Sequence, residues 1–244
     1  MKRRSLLAVS AAVAAAPSFG QPVCRAESGA RVPLVVELFT SEGCSSCPPA
    51  DRWLSALKGR DDVIALGFHV TYWDRLGWPD RFASSEFTSR QYEHMRRLGA
   101  DHVYTPQVVV DGRDWRGWRG SGLPAAAAPR AAPRLVLERD GDAVLATVAA
   151  WPGAAARGDQ VTGFWAVTED GHESRVRAGE NAGETLRHDH VVRLVRPLAD
   201  WRASDGLRSR LEVGRGEPKH PRRVVFVVAD PATRRPLQAL ALAC

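Results

Sequence analysis

The sequence predicts an α/β N-terminal domain with a βαβαββ core, followed by a mainly antiparallel, sandwich-like β domain. Three observations lead there. Residues 34–70 pass from strand to helix to strand periodicity, and a Cys-x-x-Cys pair sits where the first strand yields to the first helix. From Leu135 onward the pattern changes to short alternating runs separated by turn residues. The 244 residues suffice for two domains, and 44% hydrophobic with 25% charged residues is ordinary globular composition.

The first twenty residues stand apart from the fold. Lys2-Arg3-Arg4 forms a positive start, Leu6 to Ala16 an apolar stretch, and Ser18-Phe19-Gly20 places small residues before a cleavage point. That is the layout of a cleaved export signal over residues 1–20. Arg3-Arg4-Ser5-Leu6-Leu7 also resembles a twin-arginine signal, an alternative to the general secretory route, in whose n-regions adjacent arginines are common. Pro22-Val23 lacks the small residue a lipidated Cys24 would need. No later apolar segment is long enough to span a bilayer, so a periplasmic or secreted protein without stable membrane insertion is expected.

Within residues 31–124, Leu34 to Thr40 is apolar on both faces, as in a central strand covered on each side. Ala50, Trp53, Leu54 and Leu57 then fall on one helical stripe, and Val63 to Val70 returns to strand character. Residues 71–81 form an aromatic loop. A second helix is predicted from about Ser84 to Leu98, with a capping serine before it and Gly99 after it. Val108 to Val110, Asp111-Gly112 and a strand through Trp118 read as a hairpin, since Asp-Gly suits a turn with positive φ. This order is that of the thioredoxin core without its last helix. Residues 125–133 read as a short helix or an Ala/Pro linker, because Pro124, Pro129 and Pro133 interrupt the alanines. The β-rich domain spans 134–244, with strands at 135–138, 143–149, 161–167, 191–195 and 224–228.

The net charge of +6 rests almost wholly on arginines interleaved with acids. No basic run with stacked aromatics occurs, which argues against nucleic-acid binding.

The chemistry concentrates at Cys44-Ser45-Ser46-Cys47. A helix N-terminus stabilises the thiolate of its first cysteine, and the thiolate is the attacking species. Cys44 is therefore the expected nucleophile and Cys47 the resolving thiol. Such a pair needs no further cofactor, and no metal site is assigned. Two alternatives stay open: Cu(I) held by Cys44, Cys47 and His69, since thiolates favour that ion, and a binding module in which the pair is only a clip. Thr105-Pro106 before a strand suggests a cis bond, with Thr105 free to pair with a bound peptide. Glu37 shares a strand face with Val35 and Phe39, where burial would raise its pKa and let it exchange a proton with Cys47. Trp73, Asp74 and Trp78 read as a binding rim. His188 and His190 alternate along an apparent strand and read as surface residues. Cys24 and Cys244, near the two chain ends, could pair in an oxidising compartment.

Val36 to Asp51, Phe68 to Asp74 with Leu76-Gly77-Trp78, and Val103 to Gln107 resemble the bacterial domain-of-unknown-function family 1223. Gly179-Glu180-Asn181-Ala182-Gly183 and Val191-Val192-Arg193 fit it too. The resemblance implies a thioredoxin-like fold and export, without an activity. Thr71 departs from the acidic residue expected there, as does the proline-broken 123–132 stretch from a regular helix. The expected function is an exported thiol–disulfide oxidoreductase acting on a disulfide- or thiol-bearing protein or small molecule, with an upstream redox partner. Nothing in the sequence sets the oligomeric state.

Overall fold

The computed structural model describes residues 24–120, 122–124, 131–152, 158–214 and 216–244. The expected signal peptide and residues 125–130 of the expected helix or linker lie outside the described residues.

Strand β1 (Arg25–Glu27) is followed by β2 (Leu34–Thr40), helix α1 (Pro48–Ser55) and β3 (Val63–His69). A 3-10 turn at Thr71–Leu76 leads to α2 (Ser85–Leu98), β4 (Gln107–Val110) and β5 (Arg113–Asp114). Local chemistry sets these limits. Pro48 and Pro49 open α1, where their missing N–H groups cost nothing. Ser84 caps α2 by accepting from the Glu86 N–H, and Gly99 ends it at φ +65°. Asp111 and Gly112 turn at φ +48° and +76°.

β2 lies parallel to β3 and antiparallel to β4, in full register from Leu34↔Val63 to Thr40↔His69. Both faces of β2 are covered. Leu34, Val36 and Leu38 pack under α1 with Ala50 and Leu54, whereas Val35 and Phe39 pack with Phe87 of α2. Truncating fully buried Leu54 to alanine would cost about 2–5 kcal/mol.

The strand expected through Trp118 stops at Asp114, and a 3-10 turn covers Arg116–Arg119. The reason is packing: Trp115 and Trp118 turn in against the α1 core, with the Trp118 ring 6.3 Å from that of Trp53.

The remaining strands are β6 (Leu135–Asp140), β7 (Ala143–Val148), β8 (Gln160–Glu169), β9 (His172–Arg175), β10 (Thr185–His188) and β11 (Val191–Pro197). They are followed by β12 (Trp201–Arg202), β13 (Leu207–Glu212), β14 (Arg222–Ala229) and β15 (Pro236–Leu242). The structure is thus mostly β. A four-stranded sheet runs β1-β6-β7-β13. A nine-stranded sheet runs β15-β14-β8-β11-β3-β2-β4-β5, with β12 on β8. Val191 pairs with Gly67, so this sheet continues across the expected division at 125–133. Leu135, Leu137, Val144 and Ala146 of the small sheet share a core with Trp165, Val224 and Phe226 of the large one.

β9 and β10 form a separate hairpin. Its far end carries residues 176–184 over the start of α1, and β10 contacts α1 directly. Cys24 and Cys244 are joined by a disulfide, with their Cα atoms 6.1 Å apart. No helix among the described residues is long and apolar enough to cross a membrane.

Candidate functional site

Cys44 and Cys47 form a disulfide with Cα atoms 5.4 Å apart. The chain leaves β2, turns through Ser41–Cys44, and enters α1 at Cys47, which already has helical φ and ψ. Ser45 and Ser46 between them are exposed, but both cysteines are fully buried. The cover over Cys44 comes from two of the expected site residues. Thr105 donates from Oγ1 to Cys44 Sγ at 3.3 Å, and Trp73 Nε1 donates to the same Oγ1 at 2.7 Å. The Thr105–Pro106 bond is cis. Gly43 lets Trp73 approach this closely, since a Cβ there would sit 3.1 Å from the Trp73 Cβ.

Trp78 belongs to a buried network. Its Nε1 donates to Glu42 Oε2 at 2.7 Å, and His188 Nε2 meets Glu42 Oε1 at 3.2 Å. Burial opposes ionisation of Glu42, yet these donors outweigh it and the pKa falls below the ordinary value. Asp80 accepts from the Glu42 N–H at 2.9 Å and faces His69 Nδ1 at 2.6 Å. Burial works against the Asp80 charge as well, but His69 and two backbone N–H groups hold it down to about 2. His69 is pushed up, since the neighbouring Asp80 outweighs its own burial.

Two sequence expectations need correction. Glu37 does not have a raised pKa. It lies on the α2 face of β2, where Arg90 Nε donates to it at 2.6 Å and His94 lies at 3.4 Å. Burial alone would raise its pKa, but the Arg90 guanidinium, with His94 beside it, holds it well below the carboxylate range. The start of α1 packs on the opposite face of that strand. His188 and His190 are not surface residues, with exposures of 2% and 1%. Leu186 shares their face of the chain and is buried with them, and that apolar neighbour was the available signal.

The buried acid on the α1 face is Asp51, one helical turn after Cys47. Desolvation raises its pKa despite the nearby His188 and His69. The sequence contained Asp51 within the motif but gave no reason to assign it a role. Residues 179–183 entered only through the family resemblance, with no role attached to Glu180 or Asn181. The Asn181 Nδ2 donates to the carbonyls of Glu42 at 2.8 Å and Cys44 at 3.0 Å. Glu180 Oε2 accepts from the Ser45 N–H at 2.9 Å and its hydroxyl at 2.8 Å.

His69, offered as a third copper ligand, is engaged by Asp80 through Nδ1. Among the described residues, no group of three or more His, Cys, Asp or Glu side chains is arranged to hold a metal ion.

A family model described as a protein of unknown function (DUF1223) matches residues 35–228. The chain is similar to the crystal structure of protein AGR_C_4864 from Agrobacterium tumefaciens, at 29% identity and a TM-score of 0.65. That likeness covers 88% of this chain and 96% of the other. It is also similar in fold to HBP35 of Porphyromonas gingivalis, at 14% identity and a TM-score of 0.54. Here 86% of this chain and 74% of that one are covered. No curated protein matches the chain.

Proposed function

The chain belongs to the DUF1223 family of proteins of unknown function, and from that premise we propose that it is an exported thiol–disulfide oxidoreductase using the Cys44–Cys47 pair. The carrying observation is the disulfide at the start of α1 with the Thr105 hydroxyl 3.3 Å from Cys44 Sγ, next to a cis proline. The order β2-α1-β3-α2-β4-β5, with β2 parallel to β3 and antiparallel to β4, supports a thioredoxin-like reading of residues 34–114. The core shared by the two sheets supports a sandwich-like reading of the second half. Export rests on the signal-like residues 1–20 and on two disulfides, which persist in oxidising compartments.

In the reducing direction, the Cys44 thiolate attacks a substrate disulfide and one substrate sulfur leaves as a thiol. The Cys47 thiolate then attacks Cys44 Sγ, closing the pair and releasing the second substrate thiol. The oxidising direction runs the same steps in reverse. Thr105 and Pro106 position the substrate beside Cys44, and Trp73 and Trp78 border its approach. A disulfide-bearing protein or small molecule is the substrate class, and an upstream thiol or disulfide partner restores the pair.

Trapping tests this reading. Reduced Cys47→Ser protein should accumulate a mixed disulfide with insulin through Cys44, whereas Cys44→Ser should not. Wild-type protein should accelerate insulin reduction by dithiothreitol, and no acceleration with no trapped adduct would contradict the proposal.

Complete burial of both cysteines favours a second reading, a binding module in which the pair is a clip. In that case neither variant forms an adduct, and reduction of the pair is slow.

A further inference from the structure

Asp51 and His188 come from opposite halves of the chain and meet behind the cysteine pair. Cys47 has φ −79° and ψ −38°, and the Asp51 N–H bonds to the Cys47 carbonyl at 3.1 Å. Helical geometry therefore relates the two residues, and positions i and i+4 lie about 5–6 Å apart at Cβ. Side chains on a helix lean toward its N-terminus, which carries the Asp51 carboxyl toward Cys47.

Facing Asp51 from β10 is His188, whose Nδ1 lies 4.0 Å from Asp51 Oδ2. That nitrogen is buried without a hydrogen-bond partner. The other ring nitrogen faces the Glu42 carboxylate, which can only accept, so Nε2 carries a hydrogen. Nδ1 is the ring atom left facing the Asp51 carboxyl across 4.0 Å. A cavity of about 260 Å³, lined by Asp51, Arg52, Leu186, Arg187 and His188 among others, lies beside them. The other charged groups nearby are His69 of β3, Asp80 and Glu42.

The geometry points to Asp51 as the residue that takes the Cys47 proton during resolution, with His188 positioning its carboxyl. This rests on the oxidoreductase reading and deepens it. After Cys44 has formed the mixed disulfide, the Cys47 S–H bond breaks and its proton passes to an Asp51 oxygen. The sulfur's electron pair attacks Cys44 Sγ, and the substrate sulfur leaves with the Cys44–substrate bonding pair. The protonated carboxyl then returns the proton to solvent through the cavity beside it. The raised pKa of Asp51 suits this exchange, because proton transfer is efficient when donor and acceptor strengths approach one another. Glu37, held ionised on the other face of β2, is not needed.

The test uses reduced mature protein with Cys24 and Cys244 replaced by serine, reacted with dithiobis(nitrobenzoate). The first thiolate released reports attack by Cys44, and the second reports resolution by Cys47. In Asp51→Asn the first release should keep its rate. The second should slow about a hundredfold at pH 7 and recover above about pH 8.5, where a free thiol ionises unaided. His188→Gln should shift the pH profile of the second release, and Asp51→Glu should restore part of the rate. An unchanged second release, or slowing by the same factor at every pH, would overturn the assignment. If Asp51→Asn does not fold, carbon NMR of the Asp51 carboxyl in the reduced wild-type protein decides. Titration shared with Cys47 supports the assignment, and a single independent inflection overturns it. The readout needs no natural substrate. A failed oxidoreductase reading shows instead in the reduction potential, leaving this result separately interpretable.

Discussion

Asn181 donates its side-chain amide to the backbone carbonyl of Cys44 at 3.0 Å, across 137 positions of sequence. The same amide reaches the Glu42 carbonyl, so one side chain from the second half fixes the turn that presents the cysteine pair. Removing it takes a buried donor from both carbonyls, of which that of Cys44 keeps the Cys47 N–H, at about 1–3 kcal/mol. Asn181→Ala should lower the urea midpoint accordingly. An unchanged midpoint would show that the turn holds its shape without the clamp.

Trp73 covers Cys44 through its bond to Thr105. Exchange rates depend on access to the attacked sulfur. Trp73→Ala should therefore speed reduction of the Cys44–Cys47 disulfide by dithiothreitol, by roughly tenfold. The measurement is the rate of thiol appearance, and a wild-type rate would place the barrier elsewhere.

Asp80 ties together His69, Glu42 and Phe82 in a buried cluster. Its folded pKa of about 2 lies below its ordinary 3.8. Its share of stability is thus complete above pH 3.8 and is lost as pH falls toward 2. His69 carries the opposite sign. Its pKa is raised above 6.5, so its contribution is full below that value and fades as pH rises through the folded one. Asp80→Asn should cost about 3–5 kcal/mol at neutral pH. It should also flatten the loss of stability between pH 3.8 and 2, as read by denaturant titration across pH.

The Cys24–Cys244 disulfide closes a sequence separation of 220 residues and ties the start of β1 to the residues just after β15. Replacing both with serine should cost about 2–5 kcal/mol in denaturant unfolding. Thiol exchange at Cys44 should stay unchanged, since the staple lies outside that site. Loss of exchange in a folded double variant would show coupling between the two bonds.

Local chemistry made part of this legible in advance. The apolar run Leu34–Thr40, the Ser84 cap with Gly99, and the Asp111-Gly112 turn each carry their own signal, and each lies where it points. Leu135 to Val148 follows the same logic. What was hidden depends on distant partners. β5 ends early because Trp115 and Trp118 prefer the α1 core to the sheet edge. The alternation Thr185-Leu186-Arg187-His188 was visible, but its inward phase follows Leu186, and a histidine read by itself looks like surface. Glu37 looked like the buried acid for Cys47 because strand periodicity does not reveal that Arg90 and His94 meet it from α2. Asp51, Glu180 and Asn181 acquire meaning only once the β9–β10 hairpin is laid against α1.

The most direct test of the central claim is the reduction potential of the Cys44–Cys47 pair in mature protein carrying serine at 24 and 244. It can be read by thiol trapping across a glutathione and dithiothreitol series. The oxidoreductase account expects a value between about −270 and −120 mV, where exchange catalysts lie. A value below about −300 mV, in the range of structural disulfides, would contradict it and make the pair a clip.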